Sequence, residues 1–167
     1  MVDVARLDSL PPAEFEAAVA PWFEGAPRFL ARLARARPFD DEATLFARAE
    51  AIALAMPEAE QIELIDAHPR LGAPPASVSA ASHREQGYDR DTTEAIAELE
   101  RLNAEYERRF GFRYCVFVNG RSRPALVPVL EAALSADRST EIRRAVVDVV
   151  AIARDRAARA GTEVGAA

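Results

Sequence analysis

Both histidines of the chain lie in one stretch, residues 66–87, with the sequence DAHPRLGAPPASVSAASHREQG. Helical patterns precede and follow this stretch, and Pro69, Gly72, Pro74 and Pro75 interrupt its middle. Binding and catalytic groups concentrate on loops that a rigid scaffold holds in place. We therefore expect the chemistry of this protein to lie here.

His68 is the first candidate for a chemical role. Pro69 disfavours the α conformation for the residue before it, so the preceding helix should end at about Ala67. The macrodipole at a helix C-terminus favours a protonated ring. A histidine held near neutrality is the usual general acid or base. A histidine that merely terminates its helix explains the pattern equally well.

The second candidate is the pattern Ser82-x-x-Glu85-Gln86. It places a hydroxyl, a carboxylate and an amide on one short turn, a set that could bind a urea-like or heterocyclic ligand. The same pattern is that of a capping box, which accounts for Glu85 without any function. A metal site built from His68, His83 and Glu85 is disfavoured, because the spacing matches no standard ligand pattern.

Five further residues have mainly structural interpretations. Cys115 is the only cysteine, which excludes an internal disulfide and a cysteine-based zinc site. It lies in an apolar run, where a buried and inert thiol is expected. Asn103 and Tyr106 could be hydrogen-bonding groups at the edge of the core. Near the end of the last helix, Arg154 and Arg156 could bind an anion or be solvated charges, and for at least one of them the second interpretation holds.

Composition narrows the class of protein. The 167 residues carry a formal net charge of −6, and the chain contains no lysine. An acidic chain with scattered arginines is a poor binder of nucleic acid, whereas arginine suits bidentate recognition of carboxylates. We find neither an apolar run long enough to cross a bilayer nor a signal-peptide pattern. We therefore expect a cytoplasmic protein that binds neither nucleic acid nor membranes.

The elements that must position these candidates are predicted to be helices. Half of the residues are apolar, few are aromatic and alanine is abundant, which favours an all-α fold over a sandwich or barrel. We predict one compact domain over residues 1–167 with seven or eight helices. Apolar periodicity and capping signals place these helices within residues 9–23, 29–37, 40–56, 57–67, 79–88, 91–110, 122–134 and 139–156.

One strand-like run, RYCVFV at residues 113–118, precedes a turn at Asn119-Gly120. No partner strand is evident in the sequence. We therefore expect an extended segment threaded between helices, whose backbone N–H and C=O groups remain available to a ligand.

Five motifs in order resemble one known family, the 2-oxo-4-hydroxy-4-carboxy-5-ureidoimidazoline (OHCU) decarboxylases of uric acid breakdown. The motifs are AHPRLG (67–72), SHREQG (82–87), LNAEYERRFGFRY (102–114), NGRSR (119–123) and TEIRRAVVDVVAIARDR (140–156). The core that bears them runs from about residue 10 to residue 157. The sequence departs from the family at Arg113-Tyr114, where proline and phenylalanine are common, and at Asp155, where the family usually has an apolar residue.

The resemblance implies an all-α lyase that needs no cofactor or metal and is usually a homodimer. Its substrate class is a small ureidoimidazoline carboxylate, which loses carbon dioxide to give (S)-allantoin. Carried over by position, His68 is the catalytic histidine and Glu85 the carboxylate beside it, and Arg156 is the anion-binding arginine, with Arg154 as the alternative. The expected substrate contacts are Pro69, Ser82, His83, Arg84, Gln86, Tyr114, Cys115, Val116, Phe117, Val118 and Arg156.

Two other functions remain open at the level of the sequence. The chain could be a non-catalytic helical interaction module, in which SxxEQ is only a cap and His68-Pro69 only a helix end. It could also be a related lyase that acts on another ureido acid. The first alternative predicts no turnover, and the second predicts a different product.

Overall fold

The computed structural model describes residues 2–72 and 93–164. These residues form eight α-helices and one 3₁₀-helix, which confirms the predicted all-α fold. None of these helices is long and apolar enough to cross a membrane. In chain order the elements are α1 Val4–Ser9, α2 Pro12–Val19, the 3₁₀-helix Ala20–Trp22, α3 Pro27–Arg35, α4 Glu42–Ala55, α5 Glu58–Asp66, α6 Thr93–Phe110, α7 Arg123–Ala133 and α8 Arg138–Val164.

Most helix boundaries lie where the local signals predict them. Asp41 caps α4 by accepting a hydrogen bond from the backbone N–H of Thr44 at 2.7 Å. The predicted start of the last helix at Ser139 is wrong by one residue. The helix begins at Arg138, and the carboxylate of Asp137 accepts the backbone N–H of Thr140 at 2.9 Å.

Helix α1 is the one described helix that the sequence does not predict. Its six residues bury only Val4 and Leu7, and so few apolar positions show no helical period. Two other predictions, the short helix at 79–88 and the cap at Asp91-Thr92, lie outside the described residues.

The long helix α8 is the element around which the site is built. It packs against α4, α5 and the 3₁₀-helix, while α6 packs against α7. The buried face of α8 carries alanine and branched aliphatic residues, which allow close helix packing. Its buried apolar residues are Ile142, Ala145, Val146, Val149, Val150, Ile152, Ala153 and Ala157.

Residues 113–118 form neither helix nor strand, as predicted for an extended segment. Gly111, at φ +78°, ends α6 in the left-handed conformation that glycine adopts without strain. Asn119 and Gly120 also have positive φ values, of 48° and 72°. Two left-handed residues in succession make the tight turn that leads the chain into α7.

Candidate active site

One pocket brings together those residues of the predicted site that the structure describes. His68 and Pro69 form one wall, and Ile152, Asp155 and Arg156 of α8 form another. The extended segment closes the pocket between them. Of the predicted substrate contacts, the lining includes Pro69, Tyr114, Cys115, Val116, Phe117, Val118 and Arg156.

His68 is buried, with 3% of its surface exposed. Its Nδ1 lies 3.3 Å from the carbonyl oxygen of Leu64, one helical turn earlier. A carbonyl can only accept, so Nδ1 carries a proton in this contact. Its Nε2 is buried and has no hydrogen-bond partner within residues 2–72 and 93–164. The ring thus presents an unsatisfied nitrogen at the pocket wall.

The helix dipole alone would favour a protonated ring, whereas the surroundings of His68 favour the neutral one. Burial and, secondly, the positive charge of Arg156 lower the pKa of His68 from its ordinary 6.5 to about 4. Glu24 and the carbonyl of Leu64 act in the opposite direction, with smaller effect. At neutral pH the ring is therefore uncharged, because desolvation outweighs the dipole at this helix end.

The structure separates the two candidate arginines. Arg156 is buried and lines the pocket. Arg154 is exposed, and its guanidinium carbon lies 5.4 Å from the centre of the Phe46 ring. Two residues along an α-helix point about 200° apart. Of the two candidates, Arg156 and not Arg154 can therefore meet a ligand in this pocket.

A turn from the N-terminal part of the chain holds Arg156. Its Nη2 lies 3.0 Å from a carboxylate oxygen of Glu24, and its Nη1 donates to the carbonyls of Pro21 and Trp22 at 3.3 Å. Glu24 has a φ of +53°, which is unusual for a residue other than glycine. No motif or spacing in the sequence marks Glu24, because its partner lies more than 130 positions away.

The carbonyls of the extended segment are less available than predicted. Arg144 of α8 donates to the carbonyl of Cys115 at 2.9 Å. Arg121 donates to the carbonyls of Val118 and Phe117 at 3.0 and 2.6 Å. Three of the C=O groups expected to be available to a ligand therefore already accept at least one hydrogen bond each. Arginine side chains replace the missing partner strand, since buried carbonyls require donors.

Arg144 belongs to a buried charge network behind the extended segment. It pairs with Glu141 and Asp148, each at 2.8 Å, and its guanidinium carbon lies 4.9 Å from the centre of the Tyr114 ring. The side chain of Glu141 is only 3% exposed and also accepts the hydroxyl of Tyr106 at 2.7 Å. This network fixes the position of the extended segment relative to α8.

Two other residues singled out in the sequence have mainly structural roles. Cys115 lines the pocket, and its thiol is buried, as predicted, and forms no disulfide. Asn103 is also buried, and its side-chain amide donates to the carbonyl of Leu71 at 2.8 Å, which ties the chain after His68 to α6.

The second half of the predicted site is not described. Ser82, His83, Arg84, Glu85 and Gln86 all lie outside the described residues. Within the described ranges, no group of three or more histidine, cysteine, aspartate or glutamate residues is arranged to hold a metal ion.

The fold and the pocket define a class of protein before any comparison. They combine an all-α scaffold with a neutral buried histidine and a buried arginine on one cavity, which suits acid–base chemistry on a small anionic molecule. The chain belongs to the OHCU decarboxylase family, whose model matches residues 8–158.

Individual relatives agree with this membership. The chain is 34% identical over 146 residues to the uric acid degradation bifunctional protein PucL of Bacillus subtilis, covering 86% of this chain but only 29% of that protein. It is 27% identical over 138 residues to the 2-oxo-4-hydroxy-4-carboxy-5-ureidoimidazoline decarboxylase of Haloferax volcanii, covering 81% of this chain and 82% of that one. The chain thus spans less than a third of the bifunctional relative and most of the stand-alone one.

A solved structure shares the fold. A crystal structure of OHCU decarboxylase in the presence of (S)-allantoin superposes with a TM-score of 0.72 at 19% identity, covering 85% of this chain and 95% of that chain. At this identity the likeness shows the architecture alone.

Proposed function

We propose that this protein decarboxylates 2-oxo-4-hydroxy-4-carboxy-5-ureidoimidazoline to (S)-allantoin in the breakdown of uric acid. The observation that carries the proposal is the pairing of His68 and Arg156 on one buried pocket. Family membership supports the choice of substrate. The pocket supports the type of chemistry, because it joins a proton-transfer group to a cationic anchor.

The protonation state of His68 defines what the ring can do. Since Nδ1–H donates to the carbonyl of Leu64, the neutral tautomer leaves the lone pair on Nε2. Because this hydrogen bond fixes the orientation of the ring, the Nε2 lone pair can act as a general base with little reorganisation of the side chain. We assign Nε2 the task of taking the proton of the substrate's ring hydroxyl and returning a proton to the ring.

The reaction itself needs modest help from the protein. Cleavage of the C–CO₂ bond releases carbon dioxide, and its electron pair passes through the adjacent C=N bond to the ring nitrogen, which takes up a proton. The resulting enol then loses its hydroxyl proton to give a carbonyl, and the neighbouring carbon takes up a proton. The protein must hold the carboxylate out of the ring plane and deliver that proton to one face, which is largely a matter of positioning.

Arg156 is proposed to anchor an anionic or carbonyl group of the substrate. Guanidinium groups bind such oxygens through paired N–H donors. Backbone groups of the extended segment and Pro69 would shape the rest of the pocket. The proposed contacts from the SHREQG motif are Ser82, His83, Arg84 and Gln86, with Glu85 as the carboxylate that orients His68 or acts on the departing carboxylate.

Assembly and location belong to the same proposal. Family resemblance supports a homodimer, and light scattering on the purified protein tests it. We also propose a cytoplasmic site of action, which cell fractionation tests.

A coupled assay tests the proposed reaction. Urate is converted enzymatically to fresh OHCU, and this protein is added with and without a metal chelator. The proposal expects faster appearance of dextrorotatory (S)-allantoin, unaffected by the chelator. No acceleration would favour the interaction-module alternative. Turnover of a different ureido acid, with OHCU left unchanged, would favour the related-lyase alternative.

A further inference from the structure

The N-terminal turn that holds Arg156 has a place in the site that neither the sequence motifs nor the proposed chemistry assigns. Residues 21–24 cover the end of the 3₁₀-helix and the turn after it, and three of them contact the guanidinium of Arg156. Two offer only backbone carbonyls. The third, Glu24, offers a carboxylate whose side chain is 18% exposed.

We infer that Glu24 is a positioning residue of the pocket, which fixes the Arg156 guanidinium and supplies the negative charge that balances it beside His68. The inference rests on the proposed function for its effect on catalysis. Its effect on His68 can be measured without any substrate.

The backbone at Glu24 supports a dedicated role. A left-handed conformation is less favourable for a residue with a side chain than for glycine. Gly25, the next residue, also has a positive φ, of 84°. The unfavourable backbone conformation thus lies at Glu24, whose side chain reaches Arg156 on α8. The ion pair between these two residues offsets the backbone strain.

Charge balance gives the second argument. The Arg156 side chain is 5% exposed, and a buried guanidinium without a counter-charge would be strongly unfavourable. It would also repel the proton that His68 must carry briefly during catalysis. Glu24 acts against that repulsion, since its charge raises the pKa of His68 while Arg156 lowers it.

Other charged groups face the same ring from the elements around it. Asp155 and Arg159 of α8 also line the pocket, and they pair with each other at 2.8 Å. Arg113 of the extended segment donates to the backbone carbonyl of His68. Each of these groups already has a partner of its own. Of the described acidic residues, Glu24 alone is both paired with Arg156 and a direct influence on the His68 ring.

The test uses Glu24→Gln, which keeps the shape of the side chain and removes its charge. Glu60→Gln is the matched control, because Glu60 pairs with Arg32 at 2.7 Å on an exposed surface outside the pocket. The imidazole signals are followed by NMR across pH. The chain has only two histidines, so a His83→Gln variant assigns them.

We expect the titration midpoint of His68 to fall in Glu24→Gln and to stay unchanged in Glu60→Gln. We also expect kcat/KM for OHCU to fall roughly ten- to hundredfold in Glu24→Gln alone, since a misplaced guanidinium disturbs substrate alignment. An unchanged His68 midpoint together with unchanged kcat/KM would overturn the inference. If the wild-type protein fails to turn over OHCU, the proposed function fails while the titration still decides the role of Glu24.

A second variant protects the test against a folding defect. Glu24→Asp keeps the charge but shortens its reach by one methylene. We expect its His68 midpoint to stay near that of the wild type, because the negative charge is retained. We expect kcat/KM to fall, because the shorter side chain no longer holds the Arg156 guanidinium in place. A residue that served only stability would lower the unfolding temperature in both variants and leave the His68 midpoint in place.

Discussion

Arg113 binds the C-terminal end of α5 and the backbone of His68, which follows that helix. Its guanidinium donates to the backbone carbonyl of His68 at 3.2 Å and to that of Asp66 at 2.8 Å. Its own backbone N–H donates to the carboxylate of Asp66 at 2.8 Å. The arginine therefore satisfies carbonyls that a helix C-terminus leaves without partners, and it ties the extended segment to His68.

Replacing Arg113 tests the role of these hydrogen bonds. Arg113→Ala removes the guanidinium contacts but keeps the backbone N–H, whereas Arg113→Pro also removes the bond to Asp66. We expect kcat/KM for OHCU to fall about tenfold in Arg113→Ala, because the spacing between His68 and the segment loosens. The kcat/KM of Arg113→Pro should fall further, because this variant also loses the hydrogen bond to the Asp66 carboxylate.

The exposed Arg101, which pairs with Glu98 and Glu105 on α6, provides the control as Arg101→Ala. It should leave kcat/KM unchanged. Equal kcat/KM values for Arg113→Ala and the wild type would show that the hydrogen bonds of the Arg113 side chain do not position the catalytic groups.

The pH dependence of kcat/KM should lack a histidine limb near 6.5. This parameter reports the free enzyme, in which burial holds the pKa of His68 at about 4. Neutral His68 is the proposed active form, so its contribution stays constant from pH 8 down to about pH 5 and is lost as the pH falls through 4. A steady-state profile over pH 4–8 measures this. A half-loss of kcat/KM near pH 6.5 that disappears in a His68 variant would contradict it.

The same burial makes folding stability depend on pH. Between pH 6.5 and 4 the unfolded chain binds a proton at His68 that the folded protein does not, so stability rises with pH across this window. The loss on acidification amounts to about 3 kcal/mol. His68→Asn removes this contribution. Urea unfolding at pH 5 and 7.5 should therefore show a smaller pH effect in the variant than in the wild type, and an identical pH effect would contradict burial of a neutral ring.

Removal of Arg144 should destabilise the fold. Arg144→Met leaves the buried Glu141 and the half-buried Asp148 without the arginine that they share, and it removes the donor to the Cys115 carbonyl. Breaking a buried ion pair from one side costs about 3–5 kcal/mol. Arg101→Met, which removes an exposed pair, should cost less than about 1 kcal/mol. Thermal unfolding of both variants makes the comparison, and equal losses would argue against a special role for the network.

Local signals were enough to predict most of the fold. Pro69 marks the end of α5, Asp41 marks the start of α4, and Gly111 ends α6, because each acts through its own backbone conformation or a neighbour within one turn. The run at 113–118 was also predicted as extended and unpaired. Motif order supplied the candidate pocket residues, and helix periodicity alone would have put Arg154 and Arg156 on different faces.

The features that the sequence did not predict depend on distant partners. The ion pair of Glu24 with Arg156 and the contacts of Arg144 with the extended segment join parts of the chain that no spacing rule connects. The helix dipole alone would favour a protonated His68, but burial lowers its pKa, and burial appears only once the helices are packed. Glu85 and its neighbours in the SHREQG motif remain predictions.

The most direct measurement is the rate of (S)-allantoin formation from freshly generated OHCU by wild-type protein and by His68→Asn. Asparagine removes the proton-accepting Nε2 at a buried position while filling similar space, and circular dichroism checks that the helices persist. We predict that kcat falls roughly 10²- to 10⁴-fold, while Glu60→Gln retains wild-type activity. A folded His68→Asn protein with wild-type kcat would contradict the central claim that His68 performs the proton transfer.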